Sequence, residues 1–269
     1  MSVGHYENFP VASVVLPARL RRPVAAIYHF ARSADDFADE GTHPAAVRLA
    51  NLDGYRLKLA DIESGRPTGS ALFDELAAAI RTHSLPMRPF YDLLDAFSQD
   101  VVKSRYADFD EVLDYCRRSA NPVGLLMLHL YDAATPVNIA RSDAICTALQ
   151  LINFWQDVAI DYAKDRVYLP QVDLDRFGVP ESSIEAGIAD GRWRALMRFE
   201  IDRTRTMLES GSSLVRALRG RIGYELRLIV QGGARILEKL DAHAGDVFSH
   251  RPTLGFLDWP LLAWRGLRM

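Results

Sequence analysis

Two stripes of acidic and polar side chains, each set in an apolar segment, commit this chain to a helical architecture. The first reads Tyr28, Arg32, Asp35, Asp39, in steps of four, three and four; the second reads Gln150, Asn153, Asp157, Asp161, in steps of three, four and four. At about 100° per residue, each set occupies an arc of roughly 60–80°, one narrow helix face. The surrounding segments, PVAAIYHFARSADDFAD and AICTALQLINFWQDVAID, are apolar enough to bury the rest of each helix. Carboxylates in line one turn apart suit divalent cations, which take oxygen ligands. Two such helices facing each other would clamp a metal-bound polyanion between them.

The competing reading is a solvated helix face, and position argues against it. Asp35, Asp36, Asp39 and Glu40 fall in the last turns before Gly41 and Pro44, and Asp157, Asp161 and Asp165 precede the stop around Tyr168 to Pro170. Carboxylates there oppose the helix macrodipole, at about a few tenths of a kcal/mol each. Two helices that accept this beside Phe37, Phe154 and Trp155 favour a compensating cation.

Apolar residues recur at helical spacing over 23–40, 44–63, 70–83, 87–103, 108–117, 122–132, 142–165, 191–218 and 221–244. Breaks fall at SGRPTG, HSLP, the Ala134 to Pro136 turn and the connector DRVYLPQVDLDRFGVPE. Asp108 is placed to N-cap FDEVLDYC, with Glu111 as its capping-box partner. These segments predict one all-α domain over residues 1–269, with 49% hydrophobic residues to fill its core. A net charge of −3 and the lack of a basic patch interleaved with aromatics argue against a nucleic-acid partner. Arg19, Arg21 and Arg22, between Pro17 and Pro23, read as a loop-like turn, solvated or in contact with phosphate. Cys116 and Cys146 form no CxxC and read as reduced core thiols. The start MSVGHYENFP has no signal-peptide pattern, and no apolar run reaches the ~18 residues of a membrane span. A cytoplasmic protein is expected. Its tail, TLGFLDWPLLAWRGLRM, either rests on a membrane surface or docks onto the helices.

DDFAD at 35–39 and QLINFWQDVAIDYAKDRVYLP at 150–170 resemble the two aspartate motifs of the squalene and phytoene synthases, which join prenyl diphosphates head to head. The resemblance extends over ENFPVASVVLP, AIYHFARSADD, YCRRSANPVG and DVFSHRP. It implies a helical bundle of the isoprenoid synthase type around a deep apolar cavity. It also implies two or three Mg²⁺ ions that bridge a substrate diphosphate to Asp35, Asp39, Asn153, Asp157 and Asp161. Tyr28, Arg32 and Tyr115 match positions near the diphosphate, and Gln150, Asn153 and Gln156 match the polar positions of the second motif. Arg166 and Tyr168 match its R-x-Y-x-P extension, and Phe9 is expected at the substrate. For Phe30, Leu125, Met127, Phe154 and Trp155, plain core packing is the expected role. No Gly-rich βα turn is present, so neither nicotinamide nor flavin is expected.

Two departures narrow the expected reaction. Condensing members usually carry Arg immediately before the central Asp of the second motif; here it is Gln156. They usually carry V-A-G after the Tyr-Cys element; here it is Ser119-Ala120-Asn121. Both resemble the subgroup that ionises presqualene diphosphate and releases hydroxysqualene in bacterial hopanoid pathways. Less positive charge beside the metals would fit one diphosphate instead of two. Asn121 either faces the cavity and holds the attacking water or caps a helix before Pro122. The alternatives are a synthase that condenses two prenyl diphosphates and a catalytically silent helical scaffold, the latter disfavoured because every stripe residue is present. A prenyl diphosphate lipid is the expected substrate, with other pathway enzymes as further partners.

Overall fold

The computed structural model describes residues 16–39 and 43–269; Phe9, Glu40 and Gly41 lie outside them. Among the described residues the regular structure is helical, with a lone bridge between Arg105 and Val167. The first half comprises α1 (Ala18–Asp39), α2 (Ala45–Glu63), α3 (Ala71–His83), α4 (Arg88–Val102), α5 (Phe109–Arg118) and α6 (Ala120–Leu130). The second comprises α7 (Pro136–Ala163), the short α8 (Gln171–Phe177) and α9 (Glu181–Glu185), α10 (Gly191–Gly211), α11 (Leu214–Ala217), α12 (Gly220–Ala242) and α13 (Asp258–Arg268).

Local chemistry sets the ends. The Asp108 carboxylate accepts from the Glu111 N–H at 3.0 Å, while the Glu111 carboxylate accepts from the Ala107 N–H at 2.7 Å, one residue before the position a capping box uses. Thr135 caps α7 by accepting from the Asn138 N–H, which starts that helix six residues earlier than its apolar periodicity suggests. α1 also starts early: Pro23 lies within it, so Arg19, Arg21 and Arg22 ride its exposed first turns instead of a loop. The connector after the second motif holds α8 and α9, and the span 191–218 breaks into α10 and α11. The tail folds as α13 and docks on α12, where Leu262 is fully buried.

α7 is the spine. α6, α10 and α12 pack against it. The close approaches depend on glycine: a Cβ on Gly124 would lie 2.4 Å from Ser142 Oγ, and one on Gly211 only 2.5 Å from the Arg141 carbonyl oxygen. On the other side, α1 packs against α2, α3 and α4 around Phe30, whose ring meets Phe73 and Phe90 edge-on at 6.0 and 5.5 Å. Burying Phe30 contributes about 1.5–3 kcal/mol. A second apolar cluster surrounds Trp155, whose indole N–H donates to Thr204 at 2.8 Å. The two clusters share Tyr131 and Ile222 at their margins, and a cavity opens there.

Candidate active site

That cavity, about 490 Å³, falls in the ordinary range for small-molecule sites. Val24, Ile27 and Tyr28 of α1, Met127 and Leu128 of α6, Leu149, Gln150 and Asn153 of α7, and Ile222 and Leu226 of α12 line it. The stripes enter at Tyr28 on one wall and at Gln150 and Asn153 on the other. They continue beyond it at helical spacing, as Arg32, Asp35 and Asp39 on α1 and as Asp157 and Asp161 on α7.

The carboxylates act on one another across the gap. Burial and the adjacent Asp39 push Asp35 up to about 7, against the pull of Arg32. Burial and Asp157 push Asp161 up to about 8, with Asp39 on the opposite helix adding to the rise. Arg32 pairs with Asp36 at 2.9 Å and with Asp35 at 3.5 Å. Burial also pushes Asp100, in the last turn of α4, up to about 6. Its two carboxylate oxygens accept from the Tyr115 and Tyr168 hydroxyls at 2.6 and 3.0 Å.

Asp100 escaped the sequence reading, yet it carries the same signal as the stripes: a lone carboxylate in the last turn of an apolar helix. Tyr168 reaches it because residues 166–168 run extended beside Ser104 to Tyr106, with the Val167 N–H donating to the Ser104 carbonyl at 2.9 Å. In extended chain, residues two apart share a face. Arg166 therefore lies beside Tyr168, donating to Asp39 at 2.5 Å and to the carbonyls of Ala38 and Asp100 at 3.1 and 3.2 Å. Tyr168 stacks on Phe154 at 3.7 Å between ring centroids.

Hard oxygen donors on two facing helices, with the Asp35 and Asp161 carboxyls pushed towards neutrality by burial and by neighbouring carboxylates, fit divalent cations chemically. Asp35, Asp39, Asn153, Asp157 and Asp161 are the residues that would hold them. Among the described residues, however, no three acidic, imidazole or thiol groups are gathered in ligating positions. Two of these carboxylates are held by basic side chains of other segments. Asp39 is held by Arg166 and Lys164, and Asp157 by Arg251, whose Nε and Nη2 donate to its two oxygens at 2.5 and 3.2 Å.

Other expectations change too. Gln156 is 1% exposed and turns away from the cavity to donate to the Pro252 carbonyl at 2.5 Å. The expected deficit of positive charge beside the second motif is absent, because Arg251 supplies a guanidinium there from 94 residues further along. Asn121 neither faces the cavity nor caps a helix: it is the second residue of α6, and its side-chain Oδ1 accepts from the Thr147 hydroxyl of α7 at 2.9 Å. Phe30, Phe154 and Trp155 are core residues, but Met127 and Cys146 line the cavity. Burial pushes the Cys116 thiol up to about 12 and that of Cys146 up to about 11, so both are poor nucleophiles.

The raised carboxyls set a pH dependence. Asp35, Asp100 and Asp161 hold protons more tightly folded than unfolded, so their contribution to stability is complete below about pH 4 and lost as pH rises through 6 to 8. Glu200, buried beside Asp173 and Arg203, is also pushed up to about 8 and adds to the same fall. Asp258, lowered to about 2, titrates outside this window. The melting temperature of the metal-free protein should fall between about pH 5 and 8, and saturating Mg²⁺ should remove the part due to the stripes. A melting temperature that climbs across that window would contradict the assignment.

A sequence model of the Squalene/phytoene synthase family matches residues 3–258. The hydroxysqualene synthase of Rhodopseudomonas palustris is 36% identical, over 92% of this chain and 83% of its own. The 15-cis-phytoene synthase of the cyanobacterium Synechocystis is 32% identical, over 98% and 82%. Among solved structures, squalene synthase HpnC from Alicyclobacillus acidocaldarius superposes with a TM-score of 0.83 at 36% identity, covering 89% of this chain and 90% of that one. With its two aspartate stripes flanking an apolar cavity between helices, this chain belongs to the squalene/phytoene synthase family.

Proposed function

We propose that this chain is a single-domain, Mg²⁺-dependent enzyme that converts presqualene diphosphate and water into hydroxysqualene and diphosphate. The observation that carries this reading is a polar end formed by the two stripes on one apolar cavity, which Tyr28, Gln150 and Asn153 line. The 36% identity to a hydroxysqualene synthase supports it. Mg²⁺, when bound by the stripe residues, would neutralise the diphosphate and make it a competent leaving group.

The chain's own residues do the rest. Tyr28, Gln150 and Asn153 orient the polar end of the substrate, and Tyr115 and Tyr168 are fixed behind the stripes by Asp100. The walls from Val24, Ile27, Leu149, Ile222 and Leu226 keep bulk water from the cation. The C–O bond breaks with its electron pair leaving on diphosphate; a water oxygen then bonds to the carbon, and its proton passes to diphosphate or a carboxylate. The orienting of that water passes from Asn121 to the polar groups that do line the cavity, Gln150 first among them.

With presqualene diphosphate in H₂¹⁸O, the label should appear in a C30 alcohol without nicotinamide. Asn121→Ala should lose about 1–3 kcal/mol, leaving the buried Thr147 hydroxyl unpaired, without altering the ratio of alcohol to alkene. Efficient formation of a C30 or C40 product from farnesyl or geranylgeranyl diphosphate would favour the second reading, a condensing synthase, which the similarity to phytoene synthases supports.

No described helix is long and apolar enough to cross a membrane. We propose instead a cytoplasmic protein that meets the lipid surface through α13 and the loop before it. Phe256 and Leu257 are each 87% exposed, and Trp259, Trp264 and Leu267 also face outward. The one acidic residue of 249–269, Asp258, is buried against Arg235 and Lys239. The protein should float with phosphatidylglycerol vesicles, and the double variant Phe256→Ser, Leu257→Ser should not. Equal flotation of both would assign those side chains elsewhere.

A further inference from the structure

We propose that Glu200 is a positioning residue: it shares a proton with Asp173, and the shared proton latches α8 to α10, fixing the extended segment that carries Arg166 and Tyr168. What this implies for turnover rests on the prenyl-diphosphate reading of the site. Glu200, on α10, is fully buried, and Asp173, in the first turn of α8, is buried beside it. One nitrogen serves both: Arg203 Nη2 donates to Glu200 Oε2 at 2.5 Å and to Asp173 Oδ2 at 2.9 Å. The two carboxyl groups also lie within hydrogen-bonding reach of each other. Two carboxylates and one guanidinium would leave a net negative charge in the core, and one proton cancels it. Glu200 Oε1 is buried with no hydrogen-bond partner among the described residues. As a carboxylate oxygen it is an orphan; carrying the proton, it becomes a donor to Asp173.

Burial raises Glu200 to about 8, with the Asp173 charge adding to the rise and Arg203 opposing it. Those two are the charges that act on it. α7 meets this turn of α10 with Trp155, whose indole donates to Thr204, and α5 meets it with Phe109, 3.4 Å under the Arg203 guanidinium. Arg176 of α8 stacks over Phe199 instead, and Asp241 of α12 pairs with Arg205, as does Asp202, on another face of α10. Asp173 lies just beyond Pro170, where the extended segment ends. The Val167, Gln171 and Val172 N–H groups donate to the carbonyls of Ser104, Tyr106 and Ala107, hanging the segment on the turn after α4. Asp173 pins its far end to α10. When Glu200 gives its proton to solvent, two carboxylates repel each other around one nitrogen. α8 then loosens, and Arg166 and Tyr168 with it. The latch is whole below about pH 7 and released as pH rises through about 8.

The test follows two quantities on the whole protein: amide exchange of the peptide 167–174, and turnover of presqualene diphosphate with saturating Mg²⁺. In the parent chain, protection of that peptide, corrected for the intrinsic pH dependence of exchange, should fall at least roughly threefold between about pH 7 and 9, and kcat should fall with it. Glu200→Gln carries a donor at every pH, so both falls should be lost. Glu200→Leu has no donor and should show the loosened exchange already at about pH 7. Should the Glu200 variants fail to fold, Asp173→Asn, which leaves Glu200 alone with Arg203, should likewise abolish the fall in protection. Protection that stays level in the parent, or that falls equally in the parent and in Glu200→Gln, would overturn the latch. If protection responds but the kcat profile of Glu200→Gln matches that of the parent, the pair is a structural contact and the positioning role is overturned. Absence of turnover with every form would overturn the prenyl-diphosphate reading, while a fall in protection confined to the parent would still support the latch.

Discussion

Asp157→Ala and Asp161→Asn should each lower kcat by at least about 10²–10³-fold while leaving the helical circular dichroism intact, because each would remove an oxygen donor to the cations proposed to neutralise the leaving group. Their effects on stability should differ in sign. Asp157→Ala deprives Arg251 of its carboxylate, and a modest loss is expected, since both side chains are only about four-fifths buried. Asp161→Asn removes a carboxyl that burial, Asp157 and Asp39 hold near 8, so the metal-free protein should melt higher than its parent above pH 8. A variant that gains stability as it loses activity marks a site built against its own repulsion. Retention of near-parental turnover by either variant would sink the metal assignment, whatever the melting curves show.

Arg166→Leu should be the most destabilising single change at the site, costing about 3 kcal/mol in denaturant unfolding. Its side chain, only 10% exposed, is the more buried of the two cations that hold Asp39, Lys164 being the other, and also donates to the carbonyls of Ala38 and Asp100. Removing it leaves like charges crowded together and the buried Asp100 carbonyl short of that donor, while Arg48 still donates to the Ala38 carbonyl at 2.9 Å. Arg166→Lys keeps the charge but not the fork of donors, and should recover only part of the loss. Adding Asp39→Asn to Arg166→Leu should restore some stability without restoring activity, since the carboxylate left with Lys164 alone is then neutral. A loss below about 0.5 kcal/mol for Arg166→Leu would mean that solvent reaches Asp39 freely and that the pair is a surface contact.

What the sequence determined by itself was local. The stripes were legible because helical geometry alone puts residues three and four apart on one face, whatever the helix packs against. The Asp108 cap was legible because a cap is settled within four residues. The expectation of a metal site followed from carboxylates opposing a helix dipole, and applied to AFSQDVV the same criterion would have found Asp100 as well. What only the tertiary structure decided depended on the meeting of distant segments. Asn121 turned from the cavity because Thr147, 26 residues on, offers it a buried hydroxyl. Gln156 and Asp157 acquired Pro252 and Arg251 because the strap beyond α12 returns to α7. Periodicity fixes which face of a helix a side chain occupies, but not which charge arrives there from another helix, and at this site those arrivals set the electrostatics.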